Sequence, residues 1–109
     1  MGFREERIGR NEASARAINE QIEQAHGSPP PKRFIRIICE CGYEKCDAFT
    51  EVTMDEYQRI RSDPRQFCVI KAHVIQDVEE TVLEDDRFTI VAKREGTAAE
   101  VAIQTNPRS

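Results

Sequence analysis

The segment that most constrains this chain is Cys39-Glu40-Cys41-Gly42-Tyr43-Glu44-Lys45-Cys46, which places three cysteines within eight residues. Three thiols in one tight loop can occupy three of the four positions around a tetrahedral zinc ion. The glycine after the second cysteine favours a turn in which backbone N–H groups face the thiolates and relieve their charge. The sequence therefore predicts a structural zinc site on this loop, with a fourth ligand from elsewhere in the chain.

The fourth ligand can come from one of three residues outside the loop. His73 follows a predicted strand, in a loop from which a ring nitrogen can reach outward. Cys68 lies within that strand, where a free cysteine is ordinarily a small buried hydrophobe. His26 lies at the end of the first predicted helix. We favour His73, with Cys68 as the alternative. The predicted metal ligands are Cys39, Cys41, Cys46 and His73.

The predicted zinc site has the composition of a structural site rather than a catalytic one. Three thiolates and one imidazole fill the coordination sphere, whereas catalytic zinc keeps one position open for water. The sequence also has no glycine-rich phosphate loop and no nucleophile elbow, and nothing in it places a base beside Tyr57. We therefore predict a non-enzymatic protein. Because zinc-bound thiolates can oxidise and release the metal, a redox-responsive zinc-thiolate switch is the alternative.

The length of the chain also favours a metal site. The chain has 109 residues, and we expect the compact part to be residues 34–105, a size at which folds usually depend on a disulfide or a metal. The sequence has neither an apolar run long enough to span a membrane nor a signal-peptide pattern, so we predict a cytoplasmic protein. In a reducing compartment, clustered cysteines act more often as metal ligands than as disulfide partners.

Residues 1–26 predict one long amphipathic helix. Apolar residues recur at the spacing of a coiled-coil seam, which either covers the chain's own core or binds another molecule. The seam consists of Ile8, Ala15, Ile18, Ile22 and Ala25. Residues 27–33 contain three consecutive prolines and predict an extended spacer. We therefore expect a protruding helix that binds a protein partner or a second copy through Ile8, Ile18 and Ile22.

The remaining pattern predicts a small α+β domain over residues 34–105. Strands are expected at 34–39, 48–52 and 67–71, and a hairpin at 78–84 and 87–93. Thr53 and Glu56 form a capping box for a helix that ends near Ser62. A short helix at 98–104 precedes a tail at 106–109. We predict one capped helix packed on an antiparallel sheet of three to five strands.

The distribution of charge disfavours nucleic acid as a ligand. The formal net charge is −4, and the segment between Asp77 and Asp86 contains six acidic residues and no basic one. Such a surface repels a phosphate backbone. A nucleic-acid-binding module is therefore the second alternative. The favoured prediction is a small zinc-stabilised protein-interaction or regulatory module.

The order of several short motifs resembles a family of small uncharacterised bacterial proteins, chiefly of the actinobacterial kind. The motifs are Asn11-Glu12-Ala13, Arg16, Asn19-Glu20, Cys39-Glu40-Cys41-Gly42, Cys46, Glu56-Tyr57, Arg61, Pro64, Phe67, His73 and Asn106-Pro107-Arg108. The resemblance implies that the three loop cysteines and His73 form one metal set, and it leaves Cys68 outside that set. The family has a glycine before the histidine, where this chain has Ala72. The resemblance implies no established activity.

Overall fold

The computed structural model describes residues 2–27, 30 and 32–108 and has an α+β fold, as the sequence predicts. Its elements are α1 (Gly2–Ala25), β1 (Phe34–Ile38), β2 (Phe49–Thr53), α2 (Met54–Arg61), β3 (Gln66–Val69), a 3-10 turn (Lys71–His73), β4 (Glu79–Glu84), β5 (Thr89–Lys93) and α3 (Thr97–Gln104). Ser28, Pro29 and Pro31 of the predicted spacer lie outside the described residues, as do Met1 and Ser109.

The strands form two small antiparallel sheets instead of the single sheet that we expected. β1 and β2 pair as a hairpin, and the other three strands pair in the order β3-β5-β4. After Ile38 the chain leaves β1 to form the cysteine loop, and the Glu40 N–H then donates to the Cys68 carbonyl of β3 at 2.8 Å. The two sheets are therefore neighbours that meet at the cysteine loop.

The predicted capping box at the start of α2 is confirmed. The Thr53 hydroxyl accepts from the Glu56 N–H at 3.1 Å, and the Glu56 carboxylate accepts from the Thr53 N–H at 2.7 Å. These two bonds satisfy backbone donors that the first helical turn leaves free. The buried face of α2 joins the main apolar core, which consists of Ile35, Ile37, Val52, Met54, Tyr57, Ile60, Cys68 and Phe88.

The prediction that α1 protrudes from the domain is wrong, because α1 packs against α3 and β1. The predicted seam does not describe its buried face either. Ile8 is buried and Ile22 packs against the core, but Ile18 is 47% exposed. The buried face of α1 consists of Ile8, Glu12, Ala15, Arg16, Asn19 and Glu20. No helix in the described part of the chain is both long and apolar enough to cross a membrane.

The buried face of α1 is largely polar, and its side chains have partners on other elements. The Arg16 guanidinium donates to the Pro64 carbonyl at 2.8 Å and to the Ala102 carbonyl of α3 at 2.9 Å, and it lies over the Phe67 ring. The Asn19 amide accepts from the Ile38 N–H at 2.8 Å and donates to the Ile38 carbonyl at 2.9 Å, as a neighbouring strand would. Hydrogen bonds to specific backbone groups therefore hold α1 in place.

Arg108, in the segment predicted as a tail, contacts α1. The Arg108 guanidinium donates to both carboxylate oxygens of Glu20, at 2.8 and 3.0 Å, and to the Gln58 side-chain carbonyl at 2.6 Å. The Tyr57 hydroxyl donates to the same Glu20 carboxylate at 2.8 Å. Glu20 therefore connects α1, α2 and the C-terminal segment.

We predict that Arg16→Ala lowers the free energy of unfolding by about 3 kcal/mol, because the substitution removes charge-assisted hydrogen bonds to two carbonyl groups and leaves a cavity. Arg10→Ala is the matched control, since Arg10 is exposed and pairs with Glu6 one turn away. Its expected effect is within about 0.5 kcal/mol. Urea unfolding measures both values, and equal midpoints for the two variants would contradict the described role of α1.

Candidate metal centre

The cysteine loop joins β1 to β2 and is closed by backbone hydrogen bonds. The Cys39 N–H donates to the Ala48 carbonyl at 2.9 Å, which extends the hairpin ladder by one step. The Cys46 N–H donates to the Tyr43 carbonyl at 3.3 Å and forms a turn within the loop. Because the loop is short and closed at its base, its three thiols must lie near one another.

His73 lies at the end of the 3-10 turn that follows β3, a strand of the other sheet. Its N–H donates to the Ile70 carbonyl at 2.9 Å. The backbone bond from Glu40 to Cys68 brings this end of β3 against the cysteine loop, so that the His73 ring faces the thiols. The Tyr43 ring lies against the His73 ring, with 4.9 Å between their centroids.

The four residues predicted as ligands lie close enough to hold one metal ion. Their donor atoms all lie within 4.8 Å of one another. The Nδ1 atom of His73 is 3.3 Å from the Cys46 sulfur and 3.7 Å from the Cys39 sulfur. For zinc bonds of about 2.3 Å to sulfur and about 2.0 Å to nitrogen, neighbouring donors of a tetrahedron lie about 3.5 to 3.8 Å apart. The two distances from His73 are close to these values, and with the other donors within 4.8 Å the four residues could hold one metal ion.

The two other candidates for the fourth ligand lie outside this cluster. Cys68 is fully buried in the main core, and its sulfur lies 3.5 Å from the Thr50 hydroxyl. Burial, assisted by the nearby Glu40 carboxylate, raises the pKa of the Cys68 thiol to about 12. His26 is exposed beyond the end of α1. Cys68 is thus the small buried hydrophobe that its strand position indicates.

The Cys39 sulfur accepts a backbone hydrogen bond from the segment that follows β3. The Ile70 N–H donates to it at 3.3 Å. Such a bond stabilises the thiolate form of the cysteine. It also fixes the direction of the sulfur, which is the role of hydrogen-bond partners around a metal site.

The thiols of the cluster lie so close together that their ionisation is linked. Contact with Cys39 lowers the pKa of the Cys41 thiol to about 5, whereas contact with Cys41 and burial raise the pKa of the Cys39 thiol far above its usual range. Three sulfurs this close cannot all be negative unless a cation lies between them. The chemistry of the donor set therefore fits a thiophilic divalent metal.

Glu40 makes more side-chain hydrogen bonds than any other residue of the loop, and no pattern in the sequence indicates this role. It is fully buried, and its carboxylate accepts from the Arg61 guanidinium at 2.5 and 3.0 Å. It also accepts from the Asn19 amide at 2.7 Å and from the Cys68 N–H at 2.9 Å. These four donors hold the residue between Cys39 and Cys41 in a single orientation.

α1 covers the other side of the cysteine loop. The Asn11 amide donates to the Gly42 carbonyl at 2.9 Å. A Cβ atom at Gly42 would lie only 2.6 Å from the Cγ2 atom of Ile8. Gly42 does not have a positive φ, so the glycine is required by the close approach of the helix rather than by the turn that the sequence suggests.

A second buried ionic group lies under α1 and was not anticipated. The Lys93 ammonium lies 2.6 Å from a Glu12 oxygen and 2.5 Å from a Glu79 oxygen, and all three side chains are buried. Burial raises the pKa of Glu12 to about 8, although Lys93 opposes this shift. The alternation of apolar and polar residues along β4 and β5 assigns Glu79 and Lys93 to faces of the hairpin. It does not reveal that Glu12 of α1 meets them.

Comparison with protein-family models, curated proteins and solved structures gives no match. The resemblance to the small bacterial family therefore stays a prediction.

We predict that Cys41→Ser abolishes stoichiometric metal binding, because a hydroxyl oxygen replaces one of three clustered thiolates. Cys68→Ser is the matched control, since it removes a buried thiol that lies outside the cluster and should leave metal content unchanged. Elemental analysis of the two purified variants, each compared with the wild type, measures the metal-to-protein ratio. Loss of metal from the Cys68 variant, or its retention by the Cys41 variant, would contradict the assignment of the ligands.

Proposed function

We propose that this chain is a small, non-enzymatic interaction or regulatory module whose fold is held by a structural zinc ion on Cys39, Cys41, Cys46 and His73. The observation that carries the proposal is the convergence of these four donors from two separate segments, the loop between β1 and β2 and the 3-10 turn after β3. A metal at this point joins the β1–β2 hairpin to the three-stranded sheet, and it does so where few backbone hydrogen bonds connect them.

The donor set supports zinc as the metal. Three thiolates and an imidazole form one of the common structural zinc sets, and together they would complete a tetrahedral sphere. One net negative charge would remain on the complex, and the Ile70 N–H donates to one of its sulfurs, that of Cys39. A complete sphere with strong thiolate donors has little Lewis acidity left, which supports a structural role.

The size of the fold explains why a metal would matter. A small domain has a net stability of about 5 to 15 kcal/mol, and structural zinc in small peptides binds with about 10 kcal/mol or more. The binding energy of one ion is therefore comparable with the entire stability of a domain of this size. Zinc would supply the part of the folding free energy that two small sheets cannot obtain from apolar burial alone.

We predict that removing zinc from the purified protein with a strong chelator abolishes its cooperative thermal transition, and that equimolar Zn²⁺ restores it. Unfolding is followed by circular dichroism before and after chelation. The Cys68→Ser variant, with its metal cluster intact, should respond in the same way. A chelated protein with the same melting temperature as the zinc-loaded protein would rule out a structural ion.

The outer face of the β1–β2 sheet supports the proposed role in protein interaction. Phe34 and Phe49 are 55% and 58% exposed there, and the guanidinium groups of Arg87 and Arg36 lie over their rings at 5.1 and 5.7 Å. Aromatic and arginine side chains are enriched at the centres of protein interfaces. Because Ile8 is buried, this face suits a partner better than the seam of Ile8, Ile18 and Ile22.

The charge of this face indicates the kind of partner. Arg36 and the exposed Lys32 and Arg33 next to it outnumber Glu51, which is the acid paired with Arg36 across the two strands. We propose that the face binds a protein segment carrying apolar and acidic side chains, since such a segment complements both the rings and the guanidinium groups.

We predict that the double variant Phe34→Ser/Phe49→Ser loses a protein partner that the wild type retains in affinity capture. Val82→Ser/Leu83→Ser is the matched control, because it removes two apolar side chains that are about equally exposed on β4. The retained proteins are compared by quantitative mass spectrometry. Equal capture by all three baits would contradict this surface, and nuclease-sensitive capture would favour the nucleic-acid alternative.

A further inference from the structure

A groove of about 200 Å³ opens beside the sulfurs of the metal centre. One wall comes from α1, with Ser14 and Ile18, and the opposite wall comes from the loop residues Tyr43 and Glu44. The groove reaches all three cysteines of the cluster. Small molecules can therefore reach the thiolates through this groove, whereas the rest of the fold covers them.

The three cysteines are not equally accessible from this groove. Cys39 and Cys41 are 4% and 3% exposed, whereas Cys46 is only half-buried. Cys39 lies at the end of β1, and Cys41 lies under α1 beside Gly42. Cys46 is on the outer side of the loop, next to exposed Lys45 and Asp47. A molecule that enters the groove from solvent meets Cys46 first.

We propose that Cys46 is the oxidation site of this metal centre and that neutral hydroperoxides react there to release the metal. This inference rests on the proposed zinc site. The groove favours a neutral oxidant because Glu44 lines its wall and repels anions, and Ile18 offers an apolar contact for an alkyl group. Alkyl hydroperoxides combine both properties, and hydrogen peroxide satisfies the first of them.

The reaction has two balanced steps. In the first, the Cys46 thiolate attacks the distal oxygen of the hydroperoxide, the O–O bond breaks, and the alkoxide leaves and takes a proton from water. Cys46 becomes a sulfenic acid. In the second, the thiolate of Cys39 or Cys41 attacks the Cys46 sulfur, the S–S bond forms and hydroxide leaves. Two thiolates together lose two electrons, and the peroxide gains them.

The second step requires only a small movement of the side chains, because the sulfurs of the cluster lie within 4.8 Å of one another. The disulfide removes two of the four ligands, so the metal leaves. The bridge that the metal would make between the cysteine loop and the turn after β3 is then lost, and so is the fixed loop onto which Asn11 and Ile8 pack. Oxidation at one half-buried thiol would therefore loosen α1 as well as the metal centre.

We predict that substoichiometric hydrogen peroxide, added to the zinc-loaded wild type, first oxidises Cys46 and releases zinc in step with a disulfide from Cys46 to Cys39 or Cys41. Zinc release is followed with a chromophoric chelator, and the modified residues are identified by mass spectrometry after the free thiols are blocked. First oxidation at Cys68, Cys39 or Cys41, or zinc release without modification of Cys46, would overturn the inference. A protein that contains no zinc at the start would instead defeat the proposed function.

A second variant tests the groove without touching a ligand. Ser14→Trp places a large ring in the groove and should slow zinc release by cumene hydroperoxide several-fold, with zinc content and melting temperature unchanged. Gln24→Trp is the matched control, since Gln24 is exposed on α1 and lies outside the groove. Equal rates for the two tryptophan variants would show that the oxidant does not reach the thiolates by this path.

Discussion

The structure depends on the junction between the cysteine loop and the end of β3. At this point one backbone bond joins Glu40 to Cys68, and the His73 ring meets the three thiols of the loop. Neither sheet has a large apolar core of its own, so the contact between them decides whether the chain has one folded state. A metal ion suits this task because four short bonds fix both position and direction.

Buried charge is the second constraint on the fold. Glu40, Glu12 and Glu20 each lie beneath or along α1, and each has a cationic partner, namely Arg61, Lys93 and Arg108. A buried charge without a partner is strongly unfavourable, so these pairs allow one packing of α1 and penalise others. Glu40 also belongs to the cysteine loop itself, because it lies between Cys39 and Cys41. The position of α1 and the geometry of the loop are therefore interdependent.

Local features of the fold could be predicted from the sequence because their causes are local. The capping box of Thr53 and Glu56, the hairpin of β4 and β5, and the close grouping of three thiols each involve residues near one another in the chain. The arrangement of α1 could not be predicted in this way. Apolar periodicity points to Ile18 as a buried position, but Arg16 and Asn19 are buried because they find carbonyl and amide partners on distant elements.

The sequence by itself determined three of the four donors, since three cysteines within eight residues cannot lie far apart, and it determined much of the secondary structure around them. Only the tertiary structure decided between His73 and Cys68, because Cys68 lies within β3 with its side chain in the main core, whereas His73 lies on the 3-10 turn that follows and meets the three thiols. The tertiary structure likewise decided that Gly42 is required by Ile8 and that α1 belongs to the core. These outcomes depend on contacts between residues from 19 to 86 positions apart, which no local pattern encodes.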